Sequence, residues 1–520
     1  MLGVGSLLTR DANTYPERIA IFSNGEEYTY AELNKRVNIL ANNLQKLGLK
    51  KGDRVAYLFR NSVLPVEIFF ATQKIGIVAV PLNFRAMASE IDYCINFSEA
   101  SVLIYEDAYS ALVAEIRDNL PGVKIFVSNE GQRPTDVLDL EQLCENGVDS
   151  EPEDTINIEE DVSIILFTSG STGVPKGVIH THRSFRELSM ILATGTYDKL
   201  HETFVTHCPL FHTSGMQLLI RQIAVAGTFV LIDKLDPEYI LELIERFKAT
   251  HLLLLPPVLY MRLREVKDVE KYDLSSVLEA QASGGGWSWK YIETIFDLFP
   301  NCEGIRYAWG MTEVGVGIGW GFTKEEILAD PSVMKSVGKT APFVEIRLVD
   351  ENGNDVADGE VGEGIVRSGA VMSGYLKQPE ITAKTLKDGW LYSGDLFKKA
   401  DNGFYYMVDR AKDMIKQGGE NVFAQEVESV LLTHPEIVNA AVIGVEDDRW
   451  GEAVAAAVVT TAESNLKDTD IVKFCKERMP GYKCPKYFLF MTALPVNSIG
   501  KIQKNDIRKM ASEFVKAPGA

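Results

Sequence analysis

The sequence predicts an α/β protein in which a large N-terminal domain, residues 1–410, precedes a small α+β domain, residues 411–520. Three observations lead to this fold class. Helix and strand patterns alternate up to about residue 160, as in sheets covered by helices on both faces. Short strands around a hairpin-type turn at residues 350–353 indicate a β-rich part between residues 344 and 367. A helix, two strands and a second helix follow residue 411, which is the pattern of a separate small domain.

The N-terminal elements follow from the spacing of apolar residues. Leu33 and Leu47 bound a run of leucines and a valine that share one helical face. Thr29 and Glu32 form a capping box before this helix, and Gly48 ends it. Strands are predicted at residues 55–59, 77–80 and 102–105, and a further β/α unit at residues 204–255.

The domain boundary is predicted from a change in charge. A strand at residues 404–409 leads into the charged segment 410–413, which has no apolar anchor. The small domain is then predicted to contain helix 424–432, strands 438–445 and 453–460, and helix 468–478.

The composition excludes several classes of protein. The formal net charge of −20 argues against a nucleic-acid or anionic-membrane partner, because neither would gain from such a surface. The six cysteines form no C-x-x-C pair and no signal peptide is recognisable, so we expect a reduced cytoplasmic protein without a zinc site. The longest apolar runs, such as residues 223–232, are too short to span a bilayer, and residues 516–520 are not a peroxisomal address.

The segment at residues 168–177 carries the strongest chemical signal. It holds three glycines, four hydroxyl side chains and Lys176, directly after the apolar run 162–167, which reads as a buried strand. Glycines let backbone N–H groups approach a polyanion, and the lysine adds a positive charge. It is not a Walker A motif, because Pro175 precedes the lysine and no Ser or Thr follows it. The segment therefore predicts a phosphate-binding loop, with an ordinary surface turn as the alternative.

Four other segments combine polar groups in patterns that suit a nucleotide, and each also has a simpler interpretation. Residues 307–313 contain an aromatic ring that could stack on a purine and a carboxylate that could bind Mg²⁺. The simpler interpretation of this segment is a core tryptophan followed by a helix N-cap at Thr312. Residues 392–395 place an aspartate on a turn, residues 409–421 crowd charges and glycines, and residues 497–501 end in a lysine. Taken singly, these are also typical of an Asx turn, a solvated face and a surface lysine.

In this order and at these separations, the five segments resemble the core motifs of the adenylate-forming superfamily. This superfamily includes acyl- and aryl-CoA synthetases, amino-acid adenylation domains of peptide synthetases, and beetle luciferases. The resemblance covers residues 7–509. It implies a large N-terminal domain of two β/α sheets plus a distorted β-barrel, and a small mobile α+β C-terminal domain. It also implies two half-reactions: a carboxylate attacks the α-phosphate of ATP to give acyl-AMP and pyrophosphate, and a thiol then displaces AMP.

The resemblance also implies roles for individual residues. Glu313, with Thr168 or Thr172, would hold Mg²⁺, and Trp309 would stack on adenine in place of the tyrosine usual in the family. Lys501 would contact the α-phosphate during adenylation and withdraw by rotation at the hinge residue Lys412. Lys176 and Thr312 are implied as further catalytic residues. The other residues implied in this way bind the phosphates (Ser169, Gly170, Ser171, Thr172 and Gly173), line the adenine and acyl pocket (Gly284, Gly285 and Gly286), bind the nucleotide (Gly310), contact the ribose and its phosphate (Asp395 and Arg410), or lie beside pantetheine (Gly418 and Gly419).

The substrate branch is predicted from residues 211–214. His212 stands where amino-acid-activating members carry the aspartate that pairs with the substrate ammonium, so an α-amino acid is disfavoured. A histidine here resembles acyl- and aryl-CoA synthetases, and the resemblance implies that His212 borders the acyl pocket and the thiol tunnel. With no carrier-protein segment after residue 509, we expect an acid–CoA ligase of fatty or aromatic acid metabolism that uses ATP, Mg²⁺ and coenzyme A. Delivery to a carrier protein, luciferase chemistry, a non-catalytic nucleotide- or acyl-binding homologue, and a homodimer stay open. Trp287 and Trp289 would either shorten the acyl pocket, favouring small, alicyclic or aromatic acids, or pack in the core.

Overall fold

The computed structural model describes most of the chain: residues 3–129, 131, 133–153, 156, 159–168, 174–194, 200–282, 289–319, 321–411, 413–417, 420–447, 450–462, 464–496 and 502–515. The chain divides into two compact units. The first comprises Met1–Ile346 and Val366–Leu391, and the second comprises Arg347–Ile365 and Tyr392–Ala520. The domain boundary near residue 411 stays a prediction.

The described helices of the first unit are α1 Val4–Thr14, α2 Tyr30–Lys46, α3 Val63–Lys74, α4 Ala88–Ser98, α5 Ser110–Ile116, α6 Leu140–Glu145, α7 His182–Leu192, α8 Thr213–Ala224, α9 Pro237–Arg246, α10 Val258–Arg264, α11 Trp289–Leu298, α12 Lys324–Ala329 and α13 Pro379–Thr385. Those of the second unit are α14 Ala424–Leu431, α15 Asp468–Lys476 and α16 Lys504–Val515.

The strands up to residue 206 are β1 Ile19–Ser23, β2 Glu26–Thr29, β3 Arg54–Leu58, β4 Val78–Pro81, β5 Val102–Tyr105, β6 Ile125–Ser128, β7 Val137–Asp139, β8 Val162–Thr168, β9 Lys176–Thr181 and β10 Thr203–Thr206. The next are β11 Thr228–Leu231, β12 His251–Leu253, β13 Glu279–Ala282, β14 Gly304–Tyr307, β15 Trp309–Met311, β16 Gly315–Ile318, β17 Phe322–Thr323, β18 Val344–Val349, β19 Val361–Ser368, β20 Gly374–Tyr375 and β21 Leu386–Lys387. The last are β22 Trp390–Lys399, β23 Tyr405–Arg410, β24 Ile415–Gln417, β25 Glu420–Val422, β26 Ile437–Asp447, β27 Gly451–Thr460 and β28 Tyr487–Phe490.

The predicted α/β class is confirmed by two eight-stranded sheets in the first unit. One has the order β17-β14-β13-β12-β10-β11-β1-β2 and the other β20-β9-β8-β4-β3-β5-β6-β7. Most neighbouring strands are parallel, as expected when helices connect them. The hairpin β8–β9 and the pair β20–β9 are antiparallel and lie at one edge of the second sheet. Thr168 and Lys176, near the two ends of the glycine-rich segment, lie on this hairpin.

Helix α2 shows how closely local patterns determined the N-terminal elements. Thr29 accepts from the backbone N–H of Glu32, whose side chain accepts from the backbone N–H of Thr29, so the predicted capping box is present. Leu33 is fully buried, and Gly48 takes a φ of +89° just beyond the helix. Since glycine adopts this conformation without strain, it ends the helix as predicted.

The β-rich part predicted near residue 350 is a five-stranded sheet with β18-β19-β22-β21 in order, and β21 and β23 pair antiparallel with β22. It corresponds to the barrel-like part that the motifs imply. In the second unit, β26 and β27 form a long hairpin, at residues near the two predicted strands. Alternate residues of this hairpin face two separate cores, one packed with α14 and α15 and the other with α16. In the described part of the chain, no helix is long and apolar enough to cross a membrane.

Candidate active site

The hairpin β8–β9 holds the two ends of the glycine-rich segment. Thr168 lies directly opposite Lys176 in the antiparallel register, and both side chains are half-buried. Directly opposed residues project on the same face of a sheet. Thr168 and Lys176 therefore flank the segment on one face. Of the predicted phosphate-binding residues, Ser169, Gly170, Ser171, Thr172 and Gly173 lie outside the described residues.

Tyr375 connects this hairpin with Glu313. It pairs with Val178 of β9, and the Lys176 Nζ lies 5.1 Å from the centre of its ring. Its phenol donates a hydrogen bond of 2.7 Å to the Glu313 Oε1. Burial, and then the nearby Glu313 carboxylate, raise the pKa of Tyr375 well above its ordinary value. The phenol consequently stays protonated and acts as the donor.

A second hydrogen bond attaches the Glu313 segment to β9. Thr312 and Glu313 lie in the turn between β15 and β16, so the alternative interpretation of Thr312 as a helix N-cap is wrong. The Thr312 carbonyl is 2.8 Å from the Nε2 of the fully buried His180. A carbonyl only accepts, so Nε2 carries the proton. Burial lowers the pKa of His180 to about 4, which keeps the ring neutral near pH 7.

The alternation of β9 explains why these contacts share one face. Lys176, Val178 and His180 are two residues apart, and successive side chains of a strand point to opposite faces. One face of β9 thus carries Lys176, Val178, which pairs with Tyr375, and His180, which donates to the Thr312 carbonyl. The structure brings the predicted residues Lys176, Thr312 and Glu313 together through Tyr375 and His180.

The turn itself depends on glycine. A Cβ on Gly310 would lie 2.2 Å from the Gly315 carbonyl oxygen, closer than any atom can approach. Trp309 is only 6% exposed, and a Cβ on Gly317 would lie 2.6 Å from its Cζ3. The indole therefore packs over its own hairpin, and its stacking on adenine stays a prediction.

His212 caps the start of helix α8. Its Nδ1 accepts from the backbone N–H of Ser214 at 3.2 Å and lies 2.9 Å from the Ser214 hydroxyl. An accepting Nδ1 leaves the proton of a neutral ring on Nε2. Next to it, the ring of Phe211 meets Phe84 edge-on with centroids 5.3 Å apart. A role of His212 beside the acyl group stays a prediction.

The second unit brings Asp395 and Arg410 together. They are directly opposed on β22 and β23, with 3.4 Å between the Arg410 Nε and the Asp395 Oδ1. The Asp395 side chain is 9% exposed and the Arg410 side chain 37%. The backbone N–H of Asp395 also donates to the Ser393 hydroxyl at 3.1 Å. A buried carboxylate beside a more exposed guanidinium suits the predicted ribose and phosphate contacts.

Asp409, next to Arg410, serves the fold instead. It is buried, and its carboxylate accepts from the backbone N–H groups of Arg410 at 2.7 Å and Gln425 at 3.4 Å. Burial raises the pKa of Asp409. The second contact anchors the first turn of α14, where unpaired N–H groups attract a carboxylate. Nearby, Asp413 and Arg508 form an ion pair of 2.6 Å that ties the charged segment to α16.

The remaining predicted site residues lie outside the described residues: Gly284, Gly285, Gly286, Trp287, Lys412, Gly418, Gly419 and Lys501. Trp289 is described, 37% exposed and hydrogen-bonded to Glu293 one turn further along α11. It is therefore not a core residue.

The side chains of Glu313 and Thr168 are of the kinds that bind a magnesium ion. Mg²⁺ commonly binds one or two carboxylates and completes its shell with phosphate oxygens and water. Glu313 is a buried carboxylate oriented by Tyr375, and the Thr168 hydroxyl projects on the same face of the hairpin as Lys176. Within the described ranges, no group of three or more His, Cys, Asp or Glu side chains could hold a metal ion. The residues therefore fit a magnesium ion that arrives with a phosphate ligand.

Sequence reasoning missed Tyr375 and His180. The period-two spacing of His180 from Lys176 could have placed both side chains on one face of β9. No local signal identifies Tyr375, because 62 residues separate it from Glu313. Only the pairing of β20 with β9 brings the two together.

Comparison with known proteins identifies relatives over the full chain. A family model described as AMP-binding enzyme matches residues 8–376, and one described as AMP-binding enzyme C-terminal domain matches residues 426–501. A feruloyl-CoA synthase of Amycolatopsis sp is 34% identical, across 98% of this chain and 99% of the relative. The long-chain-fatty-acid–CoA ligase FadD13 of Mycobacterium tuberculosis is 30% identical, across 99% and 100%. A solved anthranilate CoA ligase, AuaEII, in complex with anthranoyl-AMP, matches with a TM-score of 0.86 and 26% identity, across 99% and 98%.

Proposed function

Because this chain belongs to the AMP-binding enzyme family and is an AMP-forming acid–CoA ligase, we propose that the face of β9 carrying Lys176 directs adenylation of the acid. The enzyme takes ATP, CoA and a small carboxylic acid. The observation that supports the proposal is the contact from Lys176 through the Tyr375 ring to the Glu313 carboxylate. It joins a phosphate-attracting cation and a metal-binding carboxylate on one rigid support.

In the first half-reaction, a carboxylate oxygen of the acid bonds to the α-phosphorus, and the bond from this phosphorus to the bridging oxygen of pyrophosphate breaks. An anion thereby approaches a polyanion, so positive charge must be in position beforehand. Lys176 and the N–H groups of the 168–177 segment would supply it at the leaving phosphates. Magnesium, when bound at Glu313 and Thr168, would neutralise further phosphate charge.

In the second half-reaction, the CoA thiolate bonds to the acyl carbon and the bond to AMP breaks. Asp395 would hold the ribose and Arg410 the ribose phosphate in both steps. We further propose that Lys501 contacts the α-phosphate during adenylation only, with Lys412 as hinge and residues 418–421 beside pantetheine during thioester formation. A cytoplasmic location and a homodimer remain predictions.

The acid itself is proposed to be aromatic or fatty, since the relatives named above are ligases of both kinds. The test is a panel of carboxylic acids with ATP and MgCl₂, in which pyrophosphate release and trapping of the adenylate by hydroxylamine are measured. Acid-dependent pyrophosphate release followed by a CoA thioester supports the proposal. Nucleotide binding without acid-dependent release would indicate a non-catalytic homologue. Adenylate formation without any CoA thioester would indicate a carrier protein as acceptor.

A further inference from the structure

Two buried polar side chains, Thr213 and Gln217, lie near the start of helix α8. The Thr213 Oγ1 and the Gln217 Oε1 each lack a hydrogen bond within the described part of the chain. Thr213 is 4% and Gln217 8% exposed. Residues four apart lie on the same face of a helix, so the two atoms belong to one surface. We call it the polar face of α8.

The polar face of α8 adjoins the turn that carries Glu313. The Gln217 Oε1 lies 3.2 Å from the position that a Cβ on Gly315 would take. Gly315 is two residues beyond Glu313 and has a φ of +67°, and His212 caps the same helix immediately before Thr213. The face thus lies between the predicted acyl-side histidine and the carboxylate of the nucleotide site.

Residues of the same types elsewhere in this unit do have partners. Gln222, fully buried on α8, donates to the Glu202 carbonyl at 2.6 Å. The fully buried Thr206 donates to the Leu253 carbonyl at 2.9 Å and accepts from the Cys208 N–H at 3.1 Å. A buried polar group without a partner disfavours folding by a factor of about 5 to 150. Two on one face point to a ligand that supplies the missing bonds.

We propose that Thr213 and Gln217 bind a hydroxyl group carried by the carboxylic acid, so that the enzyme prefers hydroxy-substituted acids to their unsubstituted analogues. A hydroxyl donates one hydrogen bond and accepts others, so it pairs with the Gln217 carbonyl and with the Thr213 O–H together. If the Gln217 amide is turned so that its N–H group takes the place of its oxygen, the hydroxyl accepts a hydrogen bond from it instead. The inference rests on the proposed function, because it takes the acid to lie beside the Glu313 turn.

The preference follows from the cost of the two unpartnered atoms. Both atoms are already shielded from water in the free protein, and an unsubstituted acid would leave them without a partner. A hydroxylated acid of the same shape removes that cost on binding. A site built to pair with a substrate hydroxyl therefore discriminates strongly against the analogue that lacks it.

The first experiment needs no substrate. Thr213→Val and Gln217→Met replace polar atoms by apolar groups of similar volume, and Thr206→Val and Gln222→Met are the matched controls. Urea unfolding of the full chain should show the first pair at least as stable as the wild type and the control pair clearly less stable. If Thr213→Val and Gln217→Met destabilise the protein as the controls do, the atoms have partners in the free enzyme and the inference fails.

The second experiment measures selectivity. The kcat/KM for acid-dependent pyrophosphate release is compared for cinnamate with para-hydroxycinnamate, benzoate with its hydroxybenzoates, and butyrate with its hydroxybutyrates. The wild type should favour the hydroxylated member of at least one pair by about 10- to 100-fold, and the Thr213→Val/Gln217→Met double variant should lose that preference. The KM for ATP should not change.

The outcomes separate the two proposals. Active enzyme with the same ratio in wild type and double variant overturns the hydroxyl site and leaves the ligase assignment intact. Absence of acid-dependent release with every acid overturns the proposed adenylation site, and the hydroxyl site with it.

Discussion

Tyr375→Phe tests the part of the site that joins Glu313 to the glycine-rich hairpin. The substitution removes one oxygen and leaves the ring that lies beneath Lys176. The Glu313 Oε1 then loses its 2.7 Å donor. A hydrogen bond to a charged group contributes about 1.5–3 kcal/mol. If that contribution is used in the transition state, adenylation slows by about 10- to 150-fold.

The assay is acid-dependent pyrophosphate release at several MgCl₂ and ATP concentrations, together with thioester formation from supplied acyl-AMP. We expect slower release and a higher magnesium requirement, with little change in thioester formation, because Glu313 is proposed to act on phosphate and metal. Tyr57→Phe is the matched control. Its hydroxyl is also buried but has no hydrogen-bond partner within the described residues, so removing it should leave both rates unchanged.

Two results would refute this reasoning. One is a folded Tyr375→Phe enzyme whose pyrophosphate release stays within about twofold of the wild type, below the range expected for a charged hydrogen bond. The other is an equal loss in both half-reactions, which would indicate general disruption of the fold.

Three further predictions concern other parts of the molecule. The pKa of His180 is about 4 in the folded protein and about 6.5 in the unfolded chain. Between these values only the unfolded chain binds the proton, so about 3 kcal/mol of the free energy of unfolding should be lost as the pH falls from about 6.5 to 4. His180→Gln, which keeps a donor for the Thr312 carbonyl, should remove that loss in urea unfolding at pH 7 and pH 5, and an unchanged pH dependence would contradict the assignment. Gly310→Ala should lower the unfolding midpoint and abolish adenylation because its Cβ meets a carbonyl at 2.2 Å, whereas Gly481→Ala, with no atom within 4 Å, should be neutral in both measurements. Lys501→Ala should slow acyl-AMP formation by about 10²- to 10³-fold yet still convert supplied acyl-AMP to thioester, and equal loss of both steps would exclude a lysine used in adenylation only.

The candidate site was predicted from sequence wherever its signal was local. The segment 168–177 and the residues Thr312 and Glu313 stand in short motifs, and the structure connects Lys176, Thr312 and Glu313 through Tyr375 and His180. The pairing of Asp395 with Arg410 was not predicted as a contact. It follows from the register of β22 and β23, which depends on the whole sheet.

The structure shows the roles of two residues, Asp409 and Thr312, that the sequence pattern left open. Asp409 belongs to the same charged motif as Arg410, yet its carboxylate anchors α14, because it points into the fold where backbone N–H groups are unpaired. Thr312 precedes no helix, since Gly310 and Gly315 allow the chain to return as a tight hairpin. These outcomes depend on neighbours that are distant in sequence or on backbone geometry.

The amino-acid sequence by itself determined the α/β class, the order of most elements and the membership of a family of AMP-forming ligases. Periodicity, capping and short motifs are local properties, and a linear chain displays them directly. Only the tertiary structure decided that Tyr375 orients Glu313, that His180 holds Thr312, and that Thr213 and Gln217 are buried with no partner among the described residues. The physical reason is that hydrogen bonding and burial depend on which residues, distant in sequence, come into contact after folding. No local sequence pattern specifies those contacts.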